Sequence, residues 1–208
     1  MSTTRKRNNV TYLCTLALLV AIEVVMKLSG LGSLRITPFL VMSFLTIPIA
    51  VGAALLGPTA GLVLGAVFGG LSLIDAMTGT SGMTVVFFQQ DPVGTVFLCL
   101  VMRMLMGYLT GLVFKGCRKI DPTKTICYYV GALAAPLLNT ILFMGYIVIF
   151  FYNTEYVQNL AISKGADNWF MFIVLIVGVQ GLIEAGVGCV IGGTISKILS
   201  RTKLLRRK

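Results

Sequence analysis

The sequence predicts an all-α integral membrane protein in which six transmembrane helices form a compact bundle and both termini are cytoplasmic. Three observations carry this prediction. The composition is 57% hydrophobic and only 12% charged, which is typical of a polytopic membrane protein and not of a soluble domain. Apolar runs of roughly 20 residues, long enough to cross a bilayer, recur along the chain. The basic residues are also distributed unevenly among the connecting segments.

The positive charges alternate with the predicted spans. Thirteen lie at the two termini and between Lys115 and Lys124, whereas the alternate loops hold only three, which are Lys27, Arg35 and Lys164. Basic loops stay on the cytoplasmic side, so both termini should be inside. The net charge of +10 does not indicate nucleic-acid binding, because no soluble domain is predicted to carry a basic surface.

The first helix is predicted over about 10–28. It follows a basic run at 5–7 and so imitates a secretion signal. However, the apolar run carries Glu23 and lacks a small-residue cleavage site, so we expect it to be retained. Within this helix Ala17 and Ala21 lie one turn apart on one face, and small residues at this spacing let a second helix approach closely.

The second and third helices are predicted over about 37–56 and 58–75. Thr37 and Pro38 fit the N-cap and first helical positions, and Pro48 predicts a kink. The third helix carries glycines at a strict four-residue spacing, which forms a groove for backbone-to-backbone packing. These glycines are Gly57, Gly61, Gly65 and Gly69. We expect the groove to serve internal packing in preference to binding a partner.

The segment 76–92 is the longest outer connection between the early helices. It combines glycines, a short apolar run and Gln90 close to the next helix. Such a segment either folds over a binding site as a hinged lid or simply connects two helices. Gln90 is a candidate substrate contact under the first of these interpretations.

Arg103 lies near the middle of the fourth helix, predicted over about 93–114. At ~1.5 Å rise per residue it stands about 15 Å along the span, close to the midplane of the bilayer. A cation there costs at least ~2.5–3.5 kcal/mol, so it must face the protein interior and have a partner. That partner is either a bound ligand or a buried carboxylate.

The fifth and sixth helices are predicted over about 126–152 and 169–199. Asn139 lies just after Pro136, and a proline frees a backbone carbonyl one turn earlier, so polar chemistry is expected there. Trp169 stands at the outer edge of the sixth helix, where aromatic belts lie. A role in stacking over a ligand is the alternative.

Polar side chains fall at middle depth on three successive helices: Arg103, Asn139, and the pair Gln180 and Glu184. An arginine offers a planar fork to a carboxylate, and amide side chains both donate and accept hydrogen bonds. Together these groups suit a small, acidic, hydrogen-bonding solute. The structural alternative is a buried ion pair of Arg103 with Glu184 or Glu23, which could itself orient Arg103 toward a ligand.

The sequence disfavours catalytic and metal-binding classes. It has no histidine and no GxxxxGK[ST] motif, which excludes Ser-His triads, histidine metal sites and ATP binding through a P-loop. The carboxylates show no spacing typical of a metal site, and the five cysteines form no CxxC pair. We therefore predict no enzyme activity, no cofactor and no metal site.

Several stretches resemble one known family. LTIPIAVGAALLGPTAGLVLGAVFGGLS (Leu45–Ser72), together with the AxxxA of the first helix, resembles the substrate-binding S component of energy-coupling factor (ECF) vitamin transporters. GALAAPLLNTILFMG (Gly131–Gly145) and VGVQGLIEAGVGCVIGG (Val177–Gly193) are similar to its fifth and sixth helices. DPVGTVFLCLVMRML with PLLNTILFMG looks most like the pantothenate-type members. The resemblance covers nearly the whole chain.

The resemblance implies a single six-helix membrane domain over 1–208 that binds a vitamin at its outer side in the bacterial cell membrane. It also implies that a separate transmembrane scaffold and two ATPase subunits supply the energy for uptake. Ala17 and Ala21 would then form the face of the first helix that docks on the scaffold.

Pantothenate is the vitamin that the resemblance favours. It carries one carboxylate, an amide and hydroxyls, which fit a buried arginine with Asn and Gln side chains; folate and riboflavin stay open as alternatives. The second hypothesis is a stand-alone secondary transporter of a small carboxylated solute. In that case Glu184 or Glu23 would be the proton-coupling group.

Overall fold

The computed structural model describes residues 2–37, 40–80, 82–121, 125–166 and 168–201, and these are helical apart from one hairpin and the connecting turns. The elements are α1 (Ser2–Leu28), β1 (Ser33–Thr37), β2 (Leu40–Ser43), α2 (Thr46–Leu56), α3 (Pro58–Thr78), α4 (Gly82–Gln90), α5 (Pro92–Ile120), α6 (Ile126–Phe151), α7 (Glu155–Lys164) and α8 (169–201). Three of the helices contain a five-residue π-helical segment. These segments are Phe97–Val101 in α5, Ile147–Phe151 in α6 and Gly188–Gly192 in α8.

The chain between α1 and α2 forms an antiparallel hairpin, although the sequence predicts a helix from Thr37. That prediction is wrong, because α2 begins only at Thr46. The β-branched residues around Thr37 favour an extended backbone. Pro48 does not kink a helix but lies in the first turn of α2, where its missing N–H is not needed. Pro38, predicted as the first helical residue, lies outside the described residues.

Both long connections predicted as outer loops contain helices, since α4 lies within 76–92 and α7 within 153–168. Phe87 of α4 is fully buried and stacks on Phe151 of α6, with 4.5 Å between the ring centroids. Tyr156 of α7 meets the Phe87 ring edge-on at 6.1 Å. The apolar run in the first connection is therefore part of a packed core.

Five helical segments within the described ranges are long and apolar enough to cross a membrane. They are α1, α3, α5, α6 and the part of α8 from Gln180 to Ser200. A sixth span would require α7 and the first half of α8, which meet at 71°. The predicted second span shrinks to α2, an apolar helix of 11 residues. The count of six spans and the cytoplasmic position of both termini stay predictions.

The later helices match their predicted ranges closely, with α5 extending to Ile120. Basic residues that were assigned to the inner loop, Lys115 among them, therefore occupy the last turns of this helix. Lys124 lies outside the described residues.

The apolar core divides into clusters. One joins α1, α2, α3 and α5 around Leu64 and Met106, and another joins α4, α6, α7 and α8 around Phe87.

Candidate functional site

Backbone contact between α3 and α5 holds Arg103 in the interior of the protein. A Cβ atom added to Gly65 would lie 2.3 Å from the carbonyl oxygen of Arg103. One added to Gly61 would lie 2.2 Å from the carbonyl oxygen of Gly107, one turn later in α5, and one added to Gly69 would lie 2.6 Å from that of Cys99, one turn earlier. The glycines therefore serve internal helix packing, and the groove that they form is occupied by α5.

Gly57, the fourth glycine of the predicted stripe, takes no part in this packing. It joins α2 to α3 with a φ of +100°, and no atom would lie within 4 Å of an added Cβ. Glycine adopts this left-handed backbone region without the steric cost that other residues meet. Its position in the four-residue spacing therefore reflects the turn and not the helix contact.

The guanidinium of Arg103 lies between two aromatic rings. Its central carbon stands 4.1 Å from the centroid of Phe68 on α3 and 5.2 Å from that of Phe143 on α6. The side chain is 9% exposed, and neither Nε nor Nη1 has a hydrogen-bond partner. Cation–π contacts stabilise the charge but leave the N–H donors in the plane of the group available.

A direct ion pair of Arg103 with Glu184 or Glu23 is not formed among the described residues, where no carboxylate oxygen lies within 4.0 Å of its nitrogens. Glu23 of α1 is fully buried, and neither of its carboxyl oxygens has a hydrogen-bond partner. The carboxyl groups of Glu23 and Asp75 nevertheless lie close enough to act electrostatically on the guanidinium. Arg103 therefore lies in an acidic environment without a bonded counterion.

Lys27 of α1 forms an ion pair with Asp75 of α3, a contact that the sequence analysis missed. The signal was present in the helical spacing. Glu23 and Lys27 are four residues apart on α1, and Phe68 and Asp75 are seven apart on α3. Both spacings place the two residues on one face of a helix. A search for polar residues on the buried faces of α1 and α3 would have found this cluster.

Glu184 and Gln180 come together on α8, as their four-residue spacing predicts. Gln180 Nε2 donates to Glu184 Oε1 at 3.1 Å, and the backbone N–H of Ser43 donates to the same oxygen at 2.8 Å. Ser43 ends β2, so this buried carboxylate ties the hairpin to α8. One oxygen of Glu184 therefore joins two hydrogen bonds, one from its own helix and one from the hairpin.

Asn139 lies half-buried on α6, one turn before Phe143 and therefore on the face of the helix that meets Arg103. The α6 helix continues through the buried Pro136. A Cβ atom added to Gly188 of α8 would lie 3.3 Å from the ring of this proline, so α6 and α8 approach closely here. The described contacts do not join Asn139 directly to Arg103.

Gln90 and Trp169 both lie at helix termini, Gln90 where α4 ends and Trp169 where α8 begins. Gln90 is the last residue of α4 and is exposed, and Asp91 follows it and caps α5 by accepting a hydrogen bond from the Gly94 N–H at 3.0 Å. Trp169 opens α8, is 54% exposed and meets Phe170 edge-on. Their role as substrate contacts stays a prediction.

Ala17 and Ala21 lie on the exposed face of α1. Leu18 and Val25 are also more than half exposed on this helix. Only 11% of the apolar window of α1 is buried, against at least 22% in the other candidate spans. The helix therefore offers a long apolar face that its own bundle does not cover.

The π-helical segments lie close to the candidate site on every helix that has one. The segment in α5 ends two residues before Arg103, and those in α6 and α8 begin four residues after Phe143 and Glu184. Such widenings of an α-helix are frequent at functional sites. No cluster of three or more side chains suited to a metal ion is found in the described part of the chain.

Comparison with known proteins adds two findings. The family model described as "ECF transporter, substrate-specific component" matches residues 11–192. The "Pantothenic acid transporter PanT" of Lactococcus lactis subsp. cremoris (strain MG1363) is 28% identical over 158 residues, which cover 72% of this chain and 78% of that protein. The family match spans every candidate residue considered above, from Ala17 to Glu184.

Proposed function

The chain belongs to the family of ECF transporter substrate-specific components, and we propose that it binds pantothenate at a site centred on Arg103. It is a multi-pass membrane protein that serves as the substrate-binding subunit of a vitamin uptake system. In our proposal it lies in the bacterial cell membrane, where a transmembrane scaffold and two ATPase subunits supply the energy for transport.

The observation that carries the proposal is a buried guanidinium with unpartnered donors. Two nitrogens of Arg103 have no hydrogen-bond partner, while Phe68 and Phe143 hold the group from its sides. A carboxylate can accept two parallel N–H···O bonds from such a fork, which gives both strength and orientation. Pantothenate has one carboxylate, and the relative named above is called a pantothenic acid transporter.

The neighbouring amides complete the proposed site. Asn139 is half-buried on the helix face that carries Phe143, and its side chain can donate to and accept from the amide and hydroxyl groups of the ligand. Gln180 shares a hydrogen bond with Glu184, whose carboxylate also holds the β2 strand. We therefore assign Asn139 to direct ligand contact. Gln180 and Glu184 would contact the ligand and also position the hairpin.

The test is ligand binding to the purified protein in detergent, with pantothenate and with pantothenol, which has a hydroxymethyl group in place of the carboxylate. We expect wild-type protein to prefer pantothenate strongly. Arg103→Ala should lose about 2–5 kcal/mol of pantothenate affinity, or roughly 30-fold and more. The same variant should bind pantothenol about as well as wild type does. Arg103→Lys should also bind pantothenate weakly, because a point charge cannot reproduce the planar fork.

Arg118→Ala is the matched control, since Arg118 lies on the same helix but is exposed near its end, where it contacts Tyr128. It should keep wild-type affinity. Equal loss of affinity for pantothenate and pantothenol in Arg103→Ala would contradict the carboxylate contact. Tight binding of folate or riboflavin without pantothenate binding would overturn the choice of vitamin.

Trp169 gives an optical test of the outer contacts because it is the one tryptophan in the sequence. If Trp169 stacks on the ligand, pantothenate should change the fluorescence of Trp169 with the same dissociation constant that direct binding gives. Separately, if Gln90 contacts the ligand, Gln90→Ala should weaken binding by roughly 1 kcal/mol, the net contribution of a typical hydrogen bond. Unchanged emission at saturating ligand would restrict Trp169 to the aromatic belt.

The docking surface in this proposal is the exposed face of α1. Ala17 and Ala21 are one turn apart on this face, and small residues at that spacing let a partner helix approach closely. Ala17→Trp and Ala21→Trp should keep near-normal pantothenate affinity in detergent. They should fail to co-purify with the scaffold and ATPases and should give no ATP-dependent uptake.

Leu182→Trp is the control for a tryptophan on an exposed helix face, since Leu182 of α8 is 73% exposed. It should support normal uptake. Normal uptake by the Ala17→Trp, Ala21→Trp double variant would rule out this docking face. Loss of ligand binding in that variant would mean that the two alanines pack the bundle instead.

A further inference from the structure

Glu23 is a buried acid on α1 that no hydrogen bond satisfies. Its side chain is fully inaccessible to solvent, and neither Oε1 nor Oε2 has a partner. Lys27, one turn further along the same helix, is engaged in its ion pair with Asp75. A buried polar group without a partner is strongly unfavourable, so the carboxyl group needs a donor that the described side chains do not supply.

Arg103 is a buried side chain with unpartnered hydrogen-bond donors, whereas Glu23 has unpartnered oxygens. Its Nε and Nη1 donors are also without partners, and it acts electrostatically on Glu23. The two groups do not bond to each other, since no nitrogen of Arg103 lies within 4.0 Å of a Glu23 oxygen. Both groups lie beside one apolar cluster, which contains Leu19, one turn before Glu23, and Phe68, which holds the guanidinium of Arg103.

The geometry points to Glu23 as a substrate-binding and specificity-determining residue, which extends the site from α5 and α6 to α1. This inference rests on the proposed function. The bound solute must accept hydrogen bonds at one group, which meets Arg103, and donate one from a hydroxyl or amide N–H, which meets Glu23. A hydroxyl group or an amide of the solute can satisfy the carboxyl group of Glu23 because it brings a hydrogen to donate.

This arrangement also rejects the wrong solutes. A simple carboxylate without a donor would neutralise Arg103 but leave the Glu23 oxygens unsatisfied. A second carboxylate at that position would have no hydrogen to donate to the Glu23 oxygens and would itself be poorly hydrated. Sites that hydrogen-bond a substrate O–H or N–H discriminate strongly against analogues that lack it, because the buried protein group then stays unpaired.

The experiment measures binding of three probes to the purified full-length protein. They are pantothenate, its analogue with both hydroxyls replaced by hydrogen, and its analogue with the amide nitrogen methylated. Glu23→Gln should bind pantothenate about 10-fold more weakly than wild type, because glutamine replaces one carboxyl oxygen by an NH2 group, which cannot accept a hydrogen bond from the solute. At least one analogue should bind wild type comparably weakly and should lose nothing further in Glu23→Gln.

The control is Val25→Gln, which also places a glutamine on α1 but at a position that is 62% exposed. It should bind pantothenate within about threefold of wild type, because Val25 is outside the proposed contact. A loss equal to that of Glu23→Gln would mean that any disturbance of α1 weakens the site, and would overturn the inference.

Two further outcomes separate the inference from the proposed function. If Arg103→Ala loses pantothenate but Glu23→Gln binds all three probes as wild type does, the substrate stands and the contact with Glu23 is wrong. If wild type binds no pantothenate, the proposed substrate is wrong, and this inference falls with it. Should Glu23→Gln prove unstable, equal affinity of wild type for pantothenate and both analogues would still refute the contact.

Discussion

Gly65→Ala is the substitution whose effect follows most directly from the coordinates. The added Cβ would lie 2.3 Å from the carbonyl oxygen of Arg103, 3.0 Å from its carbonyl carbon and 3.1 Å from the Met104 Cα. All three atoms belong to the backbone of α5, so no side-chain rotation relieves the contact. The oxygen would have to withdraw by about 1 Å to reach ordinary van der Waals distance, which forces α3 and α5 apart.

We expect Gly65→Ala to lower the free energy of unfolding by about 1–3 kcal/mol, the usual cost of overpacking a close-packed interior. Because the clash falls on the backbone of Arg103 itself, the guanidinium should shift relative to Phe68 and Phe143. Pantothenate affinity should therefore fall as well. The assays are the thermal unfolding midpoint in detergent without ligand, and the pantothenate dissociation constant at a temperature where the variant is folded.

Gly70→Ala is the matched control on the same helix, because a Cβ there would meet no atom within 4 Å. It should leave both quantities unchanged or raise stability slightly, since alanine has the higher helix propensity. An unfolding midpoint for Gly65→Ala equal to that of Gly70→Ala would refute the backbone contact between α3 and α5. Lower stability with unchanged affinity would refute the link from that contact to the site.

Three further predictions concern other parts of the chain. Glu184→Ala should speed hydrogen–deuterium exchange in the segment that contains Ser43, whose N–H loses its acceptor; unchanged exchange would show that the hairpin is held by other contacts. Asp75→Asn should lower the free energy of unfolding by more than about 1 kcal/mol, because both side chains of its ion pair are only 18% exposed and Lys27 loses its counterion; an unchanged free energy of unfolding would contradict this. In a background without native cysteines, Asn159→Cys should react with an impermeant thiol reagent from outside and Ile120→Cys from inside, and the reverse pattern would invert the topology.

The sequence was sufficient to predict the long helices and the burial of Arg103. Hydrophobic length and helical period are local properties, so the runs that became α3, α5, α6 and α8 could be recognised without knowing their neighbours. The glycine spacing likewise indicated a close helix contact, because only residues without a side chain allow backbones to meet. Gly57 was misassigned because a turn glycine and a packing glycine look the same in a spacing pattern.

The predicted start of α2 was wrong for a physical reason as well. Thr37 followed by a proline matches a helix start, but the structure places Thr37 at the end of β1. The hairpin is held partly from outside, since the Ser43 N–H donates to Glu184, which lies far along the chain. The connections 76–92 and 153–168 contain α4 and α7. Packing against α6 stabilises these helices, as the stacking of Phe87 on Phe151 illustrates.

The sequence by itself determined that Arg103 must be buried and that Glu23 and Glu184 were the carboxylates available to it. Only the tertiary structure decided that neither carboxyl group forms an ion pair with Arg103. It also decided that Lys27 pairs with Asp75 and that the Ser43 N–H of the hairpin donates to one oxygen of Glu184. The period of a helix fixes which residues share a face. The rotation and depth of one helix against another depend on contacts such as that of Gly65 with the α5 backbone, which arise only when the whole bundle packs.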